Sequence, residues 1–105
     1  MADMKLTMTR GDTGTFGLEI EGAGQDLDTA FFSVRKEWQG DLVFQKTLSD
    51  GVSKIDDGQY AIRIAPEDTQ TLDVGEYVYD FQIGANGDVF TLLRGILVIE
   101  WDVTR

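Results

Sequence analysis

Two pairs of carboxylates, Asp26 with Asp28 and Asp56 with Asp57, come nearest to an acid–base device in this sequence. Two acids across a cleft are enough for glycoside hydrolysis. All four stand in polar, glycine-punctuated stretches that predict turns, where an aspartate accepts hydrogen bonds from nearby backbone amides. We therefore read them as turn residues. Gly11-Asp12-Thr13-Gly14 contains the Asp-Thr-Gly of an aspartic protease half-site, in which two loops share one proton between carboxylates. Its apolar flanks are weak and no second copy exists, so it too reads as a turn. Gly22 to Asp28 and Asp56-Asp57-Gly58 offer oxygen ligands, but neither has the alternating acids and distal glutamate of a calcium loop. The stretch Gly11 to Gly17 lacks the lysine of a phosphate-binding loop. Histidine and cysteine are absent, which removes the usual general base, the thiol nucleophile and the commonest zinc ligands. The expectation is a protein with no catalytic residues, no metal and no cofactor: a structural or binding module and not an enzyme.

Charge narrows the partners. Nineteen acidic against nine basic residues give a net charge of −10, which repels a phosphate backbone and an anionic membrane surface alike. No nucleic acid and no membrane are expected as partners. The acids are dispersed among 42% hydrophobic residues, so the chain reads as a folded domain with a solvated surface and not as a disordered acidic tail. A basic partner, or cations bridging acidic subunits, are the alternatives. No apolar run approaches the roughly 20 residues of a membrane helix, and Met1 to Arg10 has no signal-peptide core. Without cysteine the redox compartment is not encoded, and no disulfide is there to staple the fold.

The elements that must carry these residues are strands. Twelve glycines stand against one proline, half of them beside Asp, Asn or Gln, and this is the punctuation of turns. Between them run short segments rich in β-branched and aromatic residues with a period of two. The pattern predicts strands over Lys5 to Thr9, Thr15 to Glu21, Thr29 to Trp38, Leu42 to Leu48, Gln59 to Ala65, Gly75 to Ile83, Asp88 to Leu93 and Ile96 to Val103, with a short extra piece at Val52 to Ile55. In the third, Phe32 and Val34 face one way and Phe31, Ser33 and Arg35 the other. Pro66-Glu67-Asp68-Thr69 predicts one helical turn reaching Leu72, and Asn86-Gly87 predicts a two-residue hairpin with positive φ at both positions. Seven or eight strands of this spacing predict one all-β domain, residues 1–105, built as an antiparallel immunoglobulin-like β-sandwich. An open barrel of the same strands is the alternative, and the Greek-key order is not encoded.

Two apolar clusters decide what such a domain does with its surface. Tyr77, Tyr79 and Phe81 share one face of a strand and form either a sugar-stacking platform or, the reading favoured by the polar residues opposite, a core stripe. From Val89 to Ile99 apolar side chains point to both faces. Either a bulge at Arg94-Gly95 shifts the register, or a subunit covers the outer face. Val89, Leu93, Ile96 and Val98 are the candidate assembly surface.

Met8-Thr9-Arg10-Gly11-Asp12-Thr13, Phe32-Ser33-Val34-Arg35-Lys36, Pro66-Glu67-Asp68-Thr69, Gly75-Glu76-Tyr77-Val78-Tyr79-Asp80 and Gly95-Ile96-Leu97-Val98-Ile99, with Asp102-Val103-Thr104-Arg105, span almost the whole chain. Together they resemble the small immunoglobulin-like modules of tailed phages and prophages, among them the LtfC-like family and the amino-terminal domain of baseplate upper proteins. That resemblance implies a virion structural role in a tail or baseplate, with partners that are other phage structural proteins or the chain itself as a homo-oligomer. It implies synthesis in the bacterial cytoplasm and residence in the virion, and it carries no catalytic residues. A free-standing carbohydrate- or protein-binding domain is the second expectation.

Overall fold

The computed structural model describes residues 2–19, 28–56, 58–85 and 87–102. Eight strands and one helical turn follow in order: β1 (Ala2–Thr9), β2 (Gly14–Glu19), β3 (Thr29–Arg35), β4 (Leu42–Leu48), β5 (Gly51–Asp56), β6 (Gln59–Ile64), α1 (Pro66–Thr69), β7 (Gly75–Ala85) and β8 (Asp88–Glu100). All eight belong to one sheet in the order β1-β8-β7-β3-β4-β5-β6-β2. The sheet turns back on itself between β4 and β5, so that β1, β8, β7, β3 and β4 face β5, β6 and β2 across a shared core.

This arrangement is all-β, but it is mixed and barrel-like and not the purely antiparallel sandwich that the strand spacing predicts. β1 runs parallel to β8, from Ala2 opposite Leu93 to Thr9 opposite Glu100. β4 meets β5 in parallel through Thr47–Gly51 and Leu48–Val52. The second junction has a local cause. Asp50 N–H bonds to the Thr47 carbonyl at 2.8 Å and Thr47 N–H to the Asp50 carbonyl at 3.0 Å, with Ser49 at φ 69° and Gly51 at φ 103°. The chain makes a tight loop and continues in its original direction, now in the other layer. A Cβ on Gly51 would lie 2.7–2.9 Å from Lys46 Cβ, Cγ and Cδ, so only glycine fits. The first junction pairs strands from the two ends of the chain, which no local pattern encodes.

The inner face collects the apolar half of each alternating strand. Phe32 and Val34 from β3, Tyr77, Tyr79, Phe81 and Ile83 from β7, Leu97 and Ile99 from β8, and Val52, Tyr60, Ile62 and Ile64 from the other layer are all buried. Tyr77, Tyr79 and Phe81 are thus a core stripe, and the Phe32 and Tyr79 rings sit 5.3 Å apart. Burying each large side chain contributes roughly 1.5–3 kcal/mol. Tyr77 Oη also donates to the Asp73 carbonyl at 2.7 Å, the tyrosine corner typical of immunoglobulin-like folds.

The segment predicted as two strands, Asp88 to Leu93 and Ile96 to Val103, is the single strand β8. Its bulge falls at Leu92 and not at Arg94-Gly95: Gln82 pairs with Thr91 and Phe81 with Leu93, leaving Leu92 unopposed. One extra residue switches the alternation. Before it Phe90 lies on the core side; after it Leu93, Gly95, Leu97 and Ile99 do, and Leu92 and Leu93 both pack on the core. A second bulge at Val43, between the pairs Val34–Phe44 and Arg35–Leu42, likewise brings Val43 and Phe44 together against it. The β7–β8 turn closes with Ala85 opposite Asp88 and Gly87 at φ 83°, as a two-residue hairpin requires; Asn86 lies outside the described residues.

Candidate functional site

The sequence candidates for chemistry come apart in the structure. Asp26 and Asp57 lie outside the described residues. Asp28 donates its N–H to the Gly84 carbonyl at 2.7 Å, and Asp56 ends β5 opposite Gln59, flanking the β5–β6 turn. Asp12 lies in the β1–β2 turn, its N–H bonded to the Thr9 carbonyl at 3.1 Å. Gly11 donates its buried N–H to Thr69 Oγ1 at 2.9 Å. Here the Gly-Asp-Thr-Gly stretch docks on α1. Among the described residues no three acidic side chains gather closely enough to hold an ion.

That base of the molecule is held by Arg10. Its Nη2 and Nε contact Asp102 Oδ1 at 3.1 and 3.3 Å, Nη1 reaches the Leu72 carbonyl at 3.4 Å, and its guanidinium lies 5.0 Å from the Trp101 ring. The side chain ties the ends of β1 and β8 to the turn before β7. Asp68 accepts the Ala65 N–H at 2.7 Å and pairs with Lys46, joining α1 to β4. These charges serve the scaffold.

The candidate assembly residues divide. Leu93 packs against the core, because the bulge at Leu92 moves it to the inner face. Ile96 and Val98 point outward and are half-buried. Ile96 stands between Val78 and Lys5, and Val98 between Glu76 and Thr7. Val89 is 70% exposed beside the β7–β8 turn, where Phe90 is 50% exposed. Ile55, the unopposed residue of a bulge in β5, is 65% exposed. β5 and β7 run in the same sense through β4 and β3, so Ile55, Val89 and Phe90 lie toward one end of the fold.

The outer face of β3, β4 and β7 holds a polar depression. Ser33 stands between Gln45 and Asp80, and Phe31 between Thr47 and Gln82. With Arg35 they line a shallow depression of about 290 Å³: Phe31, Ser33, Arg35, Gln45, Asp80 and Gln82. A smaller dent of about 30 Å³ adjoins it toward Trp38 and Val78. Gln45 Nε2 donates to Ser33 Oγ at 2.9 Å, Gln82 Nε2 reaches Thr91 Oγ1 at 3.3 Å, and Arg35 Nη1 donates to the Gly40 carbonyl at 2.9 Å. Four of the six lining side chains, Ser33, Arg35, Gln45 and Gln82, are thus held by hydrogen bonds. Burial pushes the Asp80 carboxyl above the usual range, and the Arg35 charge opposes that shift. Trp38, 52% exposed, lies 5.8 Å from the Arg94 guanidinium. The alternation of β3 already sets Phe31, Ser33 and Arg35 on one face, but that this face meets Asp80 and Gln82 follows from the β3–β7 pairing, which has no local signature.

No protein-family model matches the chain, and no curated protein does. Solved structures do. CopC from Methylosinus trichosporium OB3b superposes with a TM-score of 0.56 at 17% identity, over 96% of this chain and 88% of that one. A putative glycoside hydrolase from Bacteroides vulgatus ATCC 8482 superposes with a TM-score of 0.55 at 13% identity, over 94% of this chain but only 17% of that one. The second Ig domain of the mouse polymeric immunoglobulin receptor gives 0.49 at 12% identity, over 99% and 100%. At these identities CopC and the hydrolase segment share the chain's all-β fold, and the likeness extends no further than the fold.

Proposed function

We propose that this chain is a non-enzymatic structural module of a phage or prophage virion, in the tail or baseplate, that works by protein–protein assembly. The motif resemblance supports the virion setting. The observation that carries the assembly role is the apolar end of the fold, where Val89, Phe90 and Ile55 are each at least half exposed. A lone domain rarely leaves several large apolar side chains in water at one end without a contact to make. The contact joins the chain to other phage structural proteins or to itself. Because the net charge of −10 opposes self-association, salt strengthens the contact by screening the repulsion.

Sedimentation of the protein at several concentrations and two salt levels tests this reading. Association that rises with salt, and that Val89→Asp with Ile55→Asp abolishes while the melting temperature holds, is the expected result. A strict monomer under every condition, together with absence of the chain from purified tailed particles of its source bacterium, overturns it.

A further inference from the structure

We propose that the depression between β3, β4 and β7 is a binding site for a neutral saccharide, with Phe31 as its stacking surface and Gln45, Gln82, Asp80 and Arg35 as its hydroxyl-binding groups. This site shares no lining residue with the apolar end of the fold and does not depend on the assembly reading.

Three observations lead to that class of ligand. The lining holds one cation and one anion, Arg35 and Asp80, beside neutral polar groups, so an ion of either sign meets its like as well as its opposite. A neutral ligand meets no such penalty. The hydrogen-bonding groups are mixed and held apart. The Gln45 and Gln82 amides point a donor at Ser33 and Thr91, which leaves both amide oxygens as acceptors. Arg35 spends one donor on Gly40 and has others to offer. A sugar hydroxyl both donates and accepts, and a row of them fits such a mixture where a purely donating or purely accepting ligand does not. Finally, Phe31 lies within this polar ring, and an aromatic face is what the C–H side of a pyranose covers, with polar groups at its rim.

The Asp80 carboxyl adds a reason for the site to want a donor. Its desolvation disfavours the charged form, and a hydroxyl directed at it restores what burial removed. An apolar ligand instead strips Asp80 and Arg35 of water without replacement. A peptide strand docks on an edge, where backbone groups are unpaired, whereas this site lies on a face whose backbone groups are already spent on the sheet.

The test is titration of isotope-labelled protein with neutral gluco-, galacto-, manno- and chito-oligosaccharides, followed by amide shifts. Saturable shifts confined to β3, β4 and β7 with at least one of the four are expected. Asp80→Ala and Gln82→Ala, both on the outer face, each weaken binding about tenfold or more, the worth of a hydrogen bond to a charged or well-placed group. Phe31→Leu weakens it while keeping the apolar bulk, and Val89→Asp leaves it unchanged. Unchanged melting temperatures show that the variants remain folded. No saturable shift with any of the four at millimolar concentration overturns the proposal. So do shifts that map elsewhere, shifts indifferent to Asp80→Ala and Gln82→Ala together, or a response to oligolysine in place of the sugars.

Discussion

Replacing Gly51 by alanine loads the corner where the sheet passes from one layer to the other. Two costs add there. The residue stands at φ 103°, where an L side chain is strained by about 1–2 kcal/mol. Its new Cβ also falls 2.7–2.9 Å from three carbons of Lys46. One of these is Lys46 Cβ, which no rotamer change can remove, and Lys46 is itself held by Asp68. Overpacking of this kind costs about 1–3 kcal/mol. The sum is about 2–5 kcal/mol, which at a urea dependence near 2 kcal/mol/M lowers the denaturation midpoint by about 1–2.5 M with the slope unchanged. Gly17→Ala is the control. Gly17 lies in edge strand β2, with nothing within 4 Å of the added carbon, and the same chemical change there raises stability by up to about 0.5–1 kcal/mol by removing unfolded-state freedom. The two substitutions must move the midpoint in opposite directions. If Gly51→Ala behaves as Gly17→Ala does, the corner is not built as described.

Three further outcomes follow from particular contacts. Thr69→Val keeps the shape of a fully buried side chain but removes the acceptor of the Gly11 N–H; it should cost about 1–3 kcal/mol, a melting shift of several degrees, while Thr69→Ser, which retains the oxygen, costs less. Gly87→Val meets no steric neighbour yet must adopt φ 83°, so a loss of roughly 1 kcal/mol or more in chemical denaturation is expected from backbone strain alone. The Asp80 pKa is raised in the folded state, so the native protein holds that proton more tightly than the unfolded chain. Ionisation of Asp80 therefore subtracts stability as pH rises through the unfolded value toward the folded one. Asp80→Asn should stabilise the protein at neutral pH and lose this advantage below the ordinary carboxylate range, as read from paired thermal melts across pH.

The strands were legible because alternation is local. Phe32 and Val34 against Phe31, Ser33 and Arg35 can be sorted into faces from the chain alone, and the structure keeps that sorting. What defeats a local reading is a single residue that breaks the period. Leu92 and Val43 each insert one position into a strand, and neither is the glycine or proline that punctuation rules look for. The surplus of apolar residues near Leu93 was visible, and a bulge was among its expected explanations. Its position was not, because it depends on which residues of β7 lie opposite. The saccharide ledge was invisible for the same reason: its six residues come from three strands, and pairing between β3 and β7 is set by the shared core and not by any turn. The base network of Arg10, Thr69 and Asp102 joins residues from separate parts of the chain, and Thr69 reads in the sequence only as part of a helical turn.

The parallel pairing of β1 with β8 also orders events in time. β1 leaves the ribosome before the other seven described strands, and the residues it binds, Leu93 to Glu100, belong to the last of the eight. Until then Leu6 and Met8 have no Leu97 or Ile99 to lie beside. Antiparallel neighbours such as β3 with β4 and β7 with β8 can close as they emerge, with short connections and small entropic cost, whereas β1 must wait through the synthesis of nearly everything between. For that interval an unpaired apolar strand hangs from a growing chain, open to the wrong partner. Lys5 places a charge on this edge strand, and Arg10 ties its far end to Asp102 just past β8.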